Sequence, residues 1–451
     1  MRNNWHKSSK SIRLTVPAVL VAAFALVISV ACSSGNGQQA DPVKASAACT
    51  GTSLTPADNV QAAIDRAQPG TTFCFRAGTY QISSLMPKSK DVLDGDGQAA
   101  VLDGGNSAEF AIYGDSTPLG PSDVTIRGFV IQDFDTPLQA GAIQDYNGPG
   151  WIIEDNHITA NAAAGVATGN DVRVLDNLID HNGQEGFTAH GDGGLYEGNK
   201  IAYNNYNLKV DAAWEAGGGK AYDTRNLTFK SNDVYDNGGP GLWADTNNIN
   251  TIFEDNTVSN NWGPGIYDEI SFNATIINNI VTRNGMPSAP GKGAQAGWAW
   301  DAGIELRRSG GLSAEAPVII SGNTVADNYN AITLIESPVS GCKEAGDAAD
   351  AFIHNWYGPC NVKNVLVENN WITLTQGAMG AYQDGQGNDI FTKWNNVFRN
   401  NHYCVSSADH PNDRYANNWF AWLNDWLDFS AWQLLWLQTA GTFTVGGTCG
   451  P

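Results

Sequence analysis

The sequence predicts an all-β solenoid, a parallel β-helix in which short strands coil around one long core. Three observations support this prediction: a repeated Asn-x-aliphatic-x-x-Asn motif, a spacing of 21 to 25 residues between most copies, and capping patterns on both sides of the repeats. A coil of that length holds about three strands of three to five residues with their turns. Each copy of the motif is therefore interpreted as one coil of the solenoid.

The repeated asparagines have a physical explanation in the stacking of coils. Coils of a parallel β-helix lie about 4.8 Å apart, so equivalent residues line up along the solenoid. An asparagine at a turn tolerates a left-handed backbone, and its amide can bond the amides above and below it. We therefore assign these asparagines to the structure, with the longer intervals explained as one coil plus an insertion. The first asparagines of the copies are Asn156, Asn177, Asn199, Asn232, Asn256, Asn279, Asn323, Asn370 and Asn395.

Both ends of the solenoid need covering. Thr55 to Asp58, followed by apolar residues at helical spacing, predicts a short N-terminal capping helix, after which a strand passes through Cys74 and Tyr80. Five tryptophans around a short helix at 430–438 predict a C-terminal cap. The expected domain organisation is one β-helix domain at 49–451, with the N-terminal cap and first coils at 49–120, the repeat coils at 121–405 and the C-terminal cap at 406–451. The tryptophans are Trp419, Trp422, Trp426, Trp432 and Trp436.

The repeat and the N-terminal pattern, a short helix, then Pro69-Gly70 and Gly78-Thr79-Tyr80, together resemble the right-handed parallel β-helix superfamily. That superfamily includes pectate lyases, polygalacturonases, chondroitinase B-like lyases and alginate epimerases. The resemblance covers the chain from about Cys49 onwards and implies a right-handed parallel β-helix. It says little about the activity, because one fold hosts many chemistries. The Asn-Thr-Asp and Gly-Asp-Asp motifs of polygalacturonases are absent from the relevant strands, so the catalytic residues of that family are not carried over.

The first 31 residues have the layout of a bacterial secretory signal peptide. Basic residues precede the apolar stretch Leu14 to Val30, and Cys32 follows directly. We expect Cys32 to be lipidated and residues 32–48 to form a tether, so that the only membrane contact is the lipid anchor. Ordinary cleavage after Ser29-Val30-Ala31 is the alternative. The expected location is the outer face of the membrane as a lipoprotein, or free secretion.

Six cysteines remain after Cys32, an even set that suggests three disulfides in an oxidising compartment. Six cysteines allow 15 pairings. Loops close most readily between near neighbours, which favours Cys49–Cys74, Cys342–Cys360 and Cys404–Cys449.

The composition limits the partners. A formal charge of −21 with only 25 basic residues argues against nucleic acid, which needs clustered Lys and Arg. Neutral glycans fit this charge best, whereas a polyanionic glycan would need a bridging cation. We expect a polysaccharide or oligosaccharide as the partner, a monomeric protein, and no cofactor, with Ca²⁺ as an option.

A second recurring element, a Gly followed by an apolar residue, begins equivalent strands of one sheet, as in Gly186-Phe187 and Gly265-Ile266. If the apolar residue points inwards, the residues one and three later point outwards. Strict alternation would bury Asp268, unless a bulge exchanges it with Glu269. The first predicted outward column is Ala167, Thr188, Trp243, Tyr267 and Glu305, and the second is Gly169, His190, Asp245, Glu269 and Arg307.

These columns predict an open groove for a sugar. The insertion Leu208 to Tyr222 is expected to overhang it, and the insertion Gly285 to Asp301, with Trp298 and Trp300, to form a wall. Outward charges on strands are usually only solvated, but here acids, cations and aromatic residues fall on consecutive coils of one face. The candidate catalytic residues are Asp245, Glu269, Glu215, Lys220 and Glu305, and the candidate substrate-binding residues are His190, Trp214, Trp243, Tyr267 and Arg307.

Three functions use these residues. A glycoside hydrolase needs two carboxyl groups, and Asp245 with Glu269 on neighbouring coils would be about 5 Å apart, which suits retention, whereas Asp245 with Glu305 suits inversion. A lyase or uronate epimerase would use Lys220 and Arg307, with Glu215, Asp245 and Glu269 as Ca²⁺ ligands. A surface glycan-binding lipoprotein would need only the aromatic residues. The hydrolase is the preferred hypothesis.

Overall fold

The computed structural model describes residues 49–114, 119–286, 298–337, 357–384, 387–437, 439–447 and 449–450. The predicted signal peptide, the tether, Cys32 and Cys342 lie outside these residues, as do positions 287–297 of the expected groove wall. Among the described residues, no helix is both long and apolar enough to cross a membrane.

The described chain forms three long sheets, and each coil contributes one strand to each sheet in turn, which is the architecture of a parallel β-helix. Sheet A contains Thr52–Leu54, Thr72–Phe75, Val92–Gly95, Thr125–Arg127, Ile152–Glu154, Arg173–Leu175, Leu195–Glu197, Thr228–Lys230, Ile252–Glu254, Thr275–Ile277, Val318–Ser321, Val365–Glu368 and Val397–Arg399. Sheet B contains Gly78–Gln81, Ala100–Asp103, Val130–Gln132, His157–Thr159, Leu178–Asp180, Lys200–Ala202, Asp233–Tyr235, Thr257–Ser259, Ile280–Thr282, Thr324–Ala326, Trp371–Leu374, Asn401–Val405 and Gly441–Val445. Sheet C contains Ile112–Tyr113, Gly141–Asp145, Ala164–Thr168, Glu185–Asp192, Gly217–Arg225, Leu242–Asp245, Ile266–Glu269, Ala302–Arg307, Asn330–Glu336, Met379–Gln383, Phe420–Trp422 and Asp425–Leu427.

The core follows from strand periodicity. In most three-residue strands of sheets A and B the middle residue is buried and its neighbours are partly exposed, as in Ile152–Glu154 and His157–Thr159. The pairing is parallel and in register, so Ile158 lies over Ile179 and Val166 over Phe187. Because equivalent inward residues stack from coil to coil, the solenoid buries one continuous apolar core.

Two asparagine ladders cross the coils. In the first, the Asn256 amide donates to Asn279 Oδ1 and to the Phe229 carbonyl. The left-handed backbone, expected at the ladder asparagines, is instead adopted by the residue before each of them, for example Asp255 with a φ of 56°. The first ladder is Asn156, Asn177, Asn199, Asn232, Asn256, Asn279, Asn323, Asn370 and Asn401, and the second is Asn161, Asn182, Asn204, Asn237, Asn261, Asn284 and Asn328.

The prediction that Asn395 continues the first ladder was wrong. Asn401 takes this place, and its Oδ1 accepts a hydrogen bond from the Asn370 amide nitrogen at 3.0 Å. The ladder asparagine lies between a strand of sheet A and a strand of sheet B, whereas Asn395 precedes the sheet A strand Val397–Arg399. Its side chain donates to Asn364 instead.

The N-terminal cap contains the predicted helix, at Val60–Arg66. The Asn59 side chain accepts a hydrogen bond from the Ala62 amide and so forms the N-cap, while Asp58 stabilises the preceding turn by accepting from Thr55. A short helix, Asp389–Thr392, and the helix Phe429–Leu435 lie at the other end.

Within the C-terminal cap, three of the five tryptophans of that region are buried. Trp432 is fully buried, stacks on Phe420 with ring centroids 4.9 Å apart and covers the last coils. This packing explains the concentration of tryptophans there, since the end of a solenoid must be hidden from water. The other two buried rings belong to Trp419 and Trp422.

Disulfides join Cys49 to Cys74 and Cys404 to Cys449, as expected. Cys360 is also disulfide-bonded, whereas its expected partner, Cys342, lies outside the described residues. The two bonds tie the N-terminal strand and the C-terminal segment to the solenoid.

Candidate functional site

The outward columns of sheet C follow the predicted register. Trp243 pairs with Tyr267 and Tyr267 with Glu305, while Asp245 pairs with Glu269 and Glu269 with Arg307. There is no register shift at Glu269, so alternation continues through this strand. Asp268 therefore points into the core, where it is fully buried.

Lys220 was expected in an overhanging insertion, and this was wrong. The segment Gly217–Arg225 is a strand of sheet C, and Lys220 stands in the first outward column between Thr188 and Trp243. The three consecutive glycines 217–219 explain the difference, because their backbones lie close to the neighbouring strands and could not carry larger side chains.

Lys220 is the centre of an ion cluster. Its Nζ lies 2.8 Å from Glu215 Oε1 and 2.7 Å from Asp245 Oδ2, donates to the Trp214 carbonyl and lies 4.2 Å from the centre of the Trp243 ring. Burial would lower the pKa of Lys220, but the two carboxylates outweigh burial and raise it. Lys220 is therefore protonated at neutral pH.

A second ion pair joins Arg307 to Glu269, with 2.8 Å between Nη1 and Oε1. Arg307 Nε also donates to Ser337 Oγ, and its guanidinium lies 4.8 Å from the Trp300 ring centre. Burial and the charge of Asp245 raise the pKa of Glu269 to about 7, against the opposing effect of Arg307. Asp245 and Glu269 are thus each bound to a cation.

Glu305 has a different environment. Its side chain is 1% exposed, and its Oε2 accepts a hydrogen bond from the Ala302 amide at 3.3 Å. Burial first, and the repulsion of Asp301 second, hold the pKa of Glu305 well above its ordinary value. Both effects favour the neutral carboxylic acid form of Glu305, which is the form a general acid requires.

A pocket of about 600 Å³ opens over Glu305. Its floor is the outward face of sheet C, and its walls come from the insertion after Asn204, from two turns and from the end of the insertion before Glu305. The overhang and the wall expected from the sequence thus contribute to it in their described parts. The lining residues are Asn205, Leu208, Val210, Asp211, Ala212, Ala213, Gly238, Pro240, Trp243, Trp262, Gly263, Pro264, Tyr267, Trp300, Asp301, Glu305 and Arg307.

The pocket brings together only some of the predicted site residues, namely Trp243, Tyr267, Glu305 and Arg307. The Trp243 and Tyr267 rings are stacked with centroids 5.3 Å apart. The other candidates lie outside the lining. Beside it, Glu215, Lys220 and Asp245 form the ion cluster, and Glu269 pairs with Arg307.

His190 and Trp214 also lie outside the lining. His190 keeps its place in the second column, next to a register shift between Ala189 and Gly191, and its ring contacts Tyr146 and Tyr222. Trp214 is 51% exposed. Its described contact with the ion cluster is made by the backbone carbonyl.

Sequence reasoning missed Asp211, Trp262 and Asp301 in the lining. The position of Trp262 carried a signal, because it directly follows a second-ladder asparagine. The residues that follow the two preceding ladder asparagines, Asn205 and Gly238, also line the pocket. The pocket thus lies where the chain enters the strands of sheet C. The outward columns predicted from the sequence contained only residues of the strands, so they missed the residues that precede the strands.

Glu185 is a further buried acid that the columns left out. It is fully buried, and its Oε1 accepts a hydrogen bond from the Thr188 hydroxyl at 2.7 Å. Burial, with a contribution from Glu215, raises the pKa of Glu185 to about 8. Among the described residues, no group of three or more His, Cys, Asp or Glu is arranged to hold a metal ion.

Comparison with known proteins agrees with this architecture. Residues 140–316 match the family described as right handed beta helix region. The chain is therefore a right-handed parallel β-helix. No curated protein sequence matches the chain significantly.

Solved structures share the fold at low sequence identity. The chain is similar to the A-module of the mannuronan C-5 epimerase AlgE6 of Azotobacter vinelandii, with 18% identity, a TM-score of 0.52, and coverage of 77% of this chain and 88% of that chain. It is also similar to XylC in complex with xylose, with 11% identity, a TM-score of 0.44, and coverage of 72% and 81%. The catalytic unit of a GH87 alpha-1,3-glucanase from Streptomyces thermodiastaticus strain HF3-3 shows 15% identity, a TM-score of 0.43, and coverage of 89% and 69%.

Proposed function

We propose that the protein binds a neutral glycan in the pocket over sheet C and hydrolyses a glycosidic bond, with Glu305 as the general acid. The observation that carries this proposal is a buried carboxyl group, with its pKa raised by burial and by Asp301, in an aromatic-lined pocket that also contains the Asp301 carboxylate. Glycoside hydrolysis requires this combination, one acid to protonate the leaving oxygen and one carboxylate to act as nucleophile or base. The likeness to the epimerase module concerns the fold, so the substrate class rests on the pocket.

The lining suits a sugar ring. Trp243, Trp262, Tyr267 and Trp300 supply flat apolar faces, while Asp211 and Asp301 can accept hydrogen bonds from hydroxyls. The volume of about 600 Å³ lies within the range of small-ligand pockets. The site therefore combines stacking surfaces with oriented acceptors.

The second carboxylate of the proposed pair is Asp301. It lines the pocket together with Glu305 and is the charged neighbour that most raises the pKa of Glu305. This assignment replaces the pair Asp245 and Glu269 expected from the sequence, because neither of those carboxylates lines the pocket. In the proposed reaction Glu305 donates its proton to the leaving oxygen as the glycosidic bond breaks, and Asp301 accepts a proton from the water that bonds to the anomeric carbon in its place.

The charges favour a neutral substrate over a uronate. A lyase or epimerase needs a base, and Lys220 is held protonated by Glu215 and Asp245. The guanidinium that could neutralise a uronate carboxylate, that of Arg307, already binds Glu269.

We also infer that the protein acts outside the cytoplasm. The two described disulfides are typical of proteins that fold in oxidising compartments. The predicted signal peptide is consistent with this location. Detection of the protein in culture medium or in a membrane fraction, with mass spectrometry of the N-terminal peptide, would separate free secretion from a lipid anchor at Cys32.

The first test is incubation of the signal-free protein with neutral and uronate-containing polysaccharides, with Ca²⁺ or EDTA. New reducing ends from a neutral glycan, without products that absorb as unsaturated uronates, are expected. The Glu305→Gln variant should lose activity about 10²- to 10⁴-fold while keeping its affinity for the glycan. Glu254→Gln, on the outer face of sheet A, is the matched control and should retain activity.

Two results would overturn the proposal. Unsaturated products that disappear with EDTA would assign the Ca²⁺-dependent lyase, with Glu215, Asp245 and Glu269 as the ligands to test first. Glycan binding by the wild type without any product would assign a glycan-binding surface protein.

A further inference from the structure

A second aromatic surface lies on the solenoid where the chain leaves sheet B. The His181 and Tyr203 rings stack with centroids 5.0 Å apart, Tyr206 lies 5.7 Å from His181, and Tyr235 meets Tyr203 edge to face at 5.7 Å. We call these four residues the aromatic platform. Tyr203 is 39% exposed and Tyr206 56% exposed, so part of each side chain is accessible to a ligand.

The stacking of coils produces the platform. His181 and Tyr203 each precede a second-ladder asparagine and adopt a left-handed backbone, with φ values of 52° and 55°. This conformation points both side chains away from the core at equivalent positions of neighbouring coils. Tyr206 belongs to the insertion that begins after Asn204.

The platform and the pocket share a segment of the chain. Asn205 and Leu208, on either side of Tyr206 in the chain, line the pocket wall. The same short segment therefore contributes one edge of the pocket and one ring of the platform. A glycan that leaves the pocket over this segment would pass directly onto the aromatic rings.

The chemistry around the rings matches a neutral glycan. Asp180 forms a hydrogen bond of 2.9 Å with His157 and lies 3.4 Å from His181, and Asp236 is a charged neighbour of Tyr203. Aromatic faces bind the apolar faces of sugar rings, and carboxylates accept bonds from hydroxyls. The surrounding carboxylates would repel an anionic glycan.

We propose that the aromatic platform is an accessory subsite that binds the part of a neutral glycan chain extending beyond the pocket. This inference rests on the proposed function of the pocket and adds a preference for long chains over short ones. The platform contributes binding, and the bond is broken in the pocket.

The test uses Tyr206→Ala, because Tyr206 is the most exposed ring of the platform and its removal leaves the stacked turns in place. The control is His402→Ala, which removes a ring stacked on Trp371 at the far end of sheet B. Binding is measured in native affinity gels that contain mixed-linkage β-glucan, xyloglucan, arabinoxylan or dextran. Hydrolysis is then measured on the preferred polysaccharide and on its oligosaccharides.

The expected result is that Tyr206→Ala raises the KM for the polysaccharide about 10-fold and leaves kcat and the KM for the shortest cleaved oligosaccharide unchanged. Gel retention of the inactive Glu305→Gln protein should weaken in the same way when Tyr206→Ala is added. Unchanged values for Tyr206→Ala in a wild type that hydrolyses the glycan would overturn the platform alone. Absence of both retention and hydrolysis in the wild type would overturn the platform and the proposed function together.

Discussion

Asp268 provides a direct test of the register of sheet C. Its side chain points into the core between the equivalent residues Ala244 and Leu306 and is fully buried. Burial raises the pKa of Asp268 from 3.8 to about 7, with a smaller opposing effect from the Ser309 hydroxyl. The folded protein therefore holds a proton that the unfolded chain releases above pH 4.

The sign and the size of the effect follow from this difference. Because the folded state binds the proton more tightly, the stability contribution of Asp268 is most favourable below about pH 4 and falls as the pH rises towards 7. A shift of about three pKa units corresponds to about 4 kcal/mol, reached above pH 7. Asp268→Asn mimics the protonated side chain without titrating, so it should match the wild type near pH 4 and be more stable by about 4 kcal/mol at pH 8.

Urea unfolding followed by circular dichroism between pH 4 and 8.5 measures this difference, with Asp255→Asn, at an exposed turn, as the control. The control should differ from the wild type by an amount that changes little with pH. A constant difference between Asp268→Asn and the wild type from pH 5 to pH 8 would refute the buried orientation of Asp268, and with it the register of the outward columns.

Four further outcomes are expected. Lys220→Met leaves two carboxylates without their shared cation and should lower the free energy of unfolding by about 3–5 kcal/mol in urea titrations, and an unchanged midpoint would contradict the ion cluster. Asn256→Ala removes both hydrogen bonds that a ladder amide donates, so it should lower the free energy of unfolding by about 2–4 kcal/mol in the same assay. The same substitution of an asparagine at an exposed turn should lower it less. The Cys404–Cys449 disulfide closes a loop of 45 residues, and its removal in the Cys404→Ser/Cys449→Ser variant should lower the free energy of unfolding by up to about 4 kcal/mol relative to the wild type. The rate of glycan hydrolysis should fall as the pH rises and Glu305 loses its proton, and a rate that never falls with rising pH would exclude Glu305 as the acid.

Much of the fold could be predicted because the sequence pattern repeats at a regular interval. Spacing of asparagines and alternation of apolar residues gave the coils, the inward side of each strand and the pairing of Asp245 with Glu269 and of Tyr267 with Glu305. The same reasoning misplaced Asn395, because it lies 25 residues after Asn370, within the usual repeat interval, whereas the ladder residue Asn401 lies 31 residues after Asn370. Periodicity identifies repeated positions, but it does not show which strand of a coil each position precedes.

The candidate site was predicted less completely, for a different reason. The columns identified outward residues of sheet C, and among them Glu305 and Arg307 line the pocket. Whether an outward carboxylate binds a cation or faces the pocket depends on side chains from other coils, as the ion pair between Asp245 and Lys220 shows. No pattern along one strand contains that information.

The sequence by itself determined the solenoid, its core and the face that carries acids and aromatic residues, because these depend on local periodicity repeated from coil to coil. Only the tertiary structure decided which acid has its pKa raised by burial beside the pocket and where the pocket lies. Burial of Glu305 and the wall contributed by Trp262 and Trp300 arise from turns and insertions brought together from different coils. The protonation of a carboxyl group depends on its three-dimensional environment, and that environment exists only after the coils have stacked.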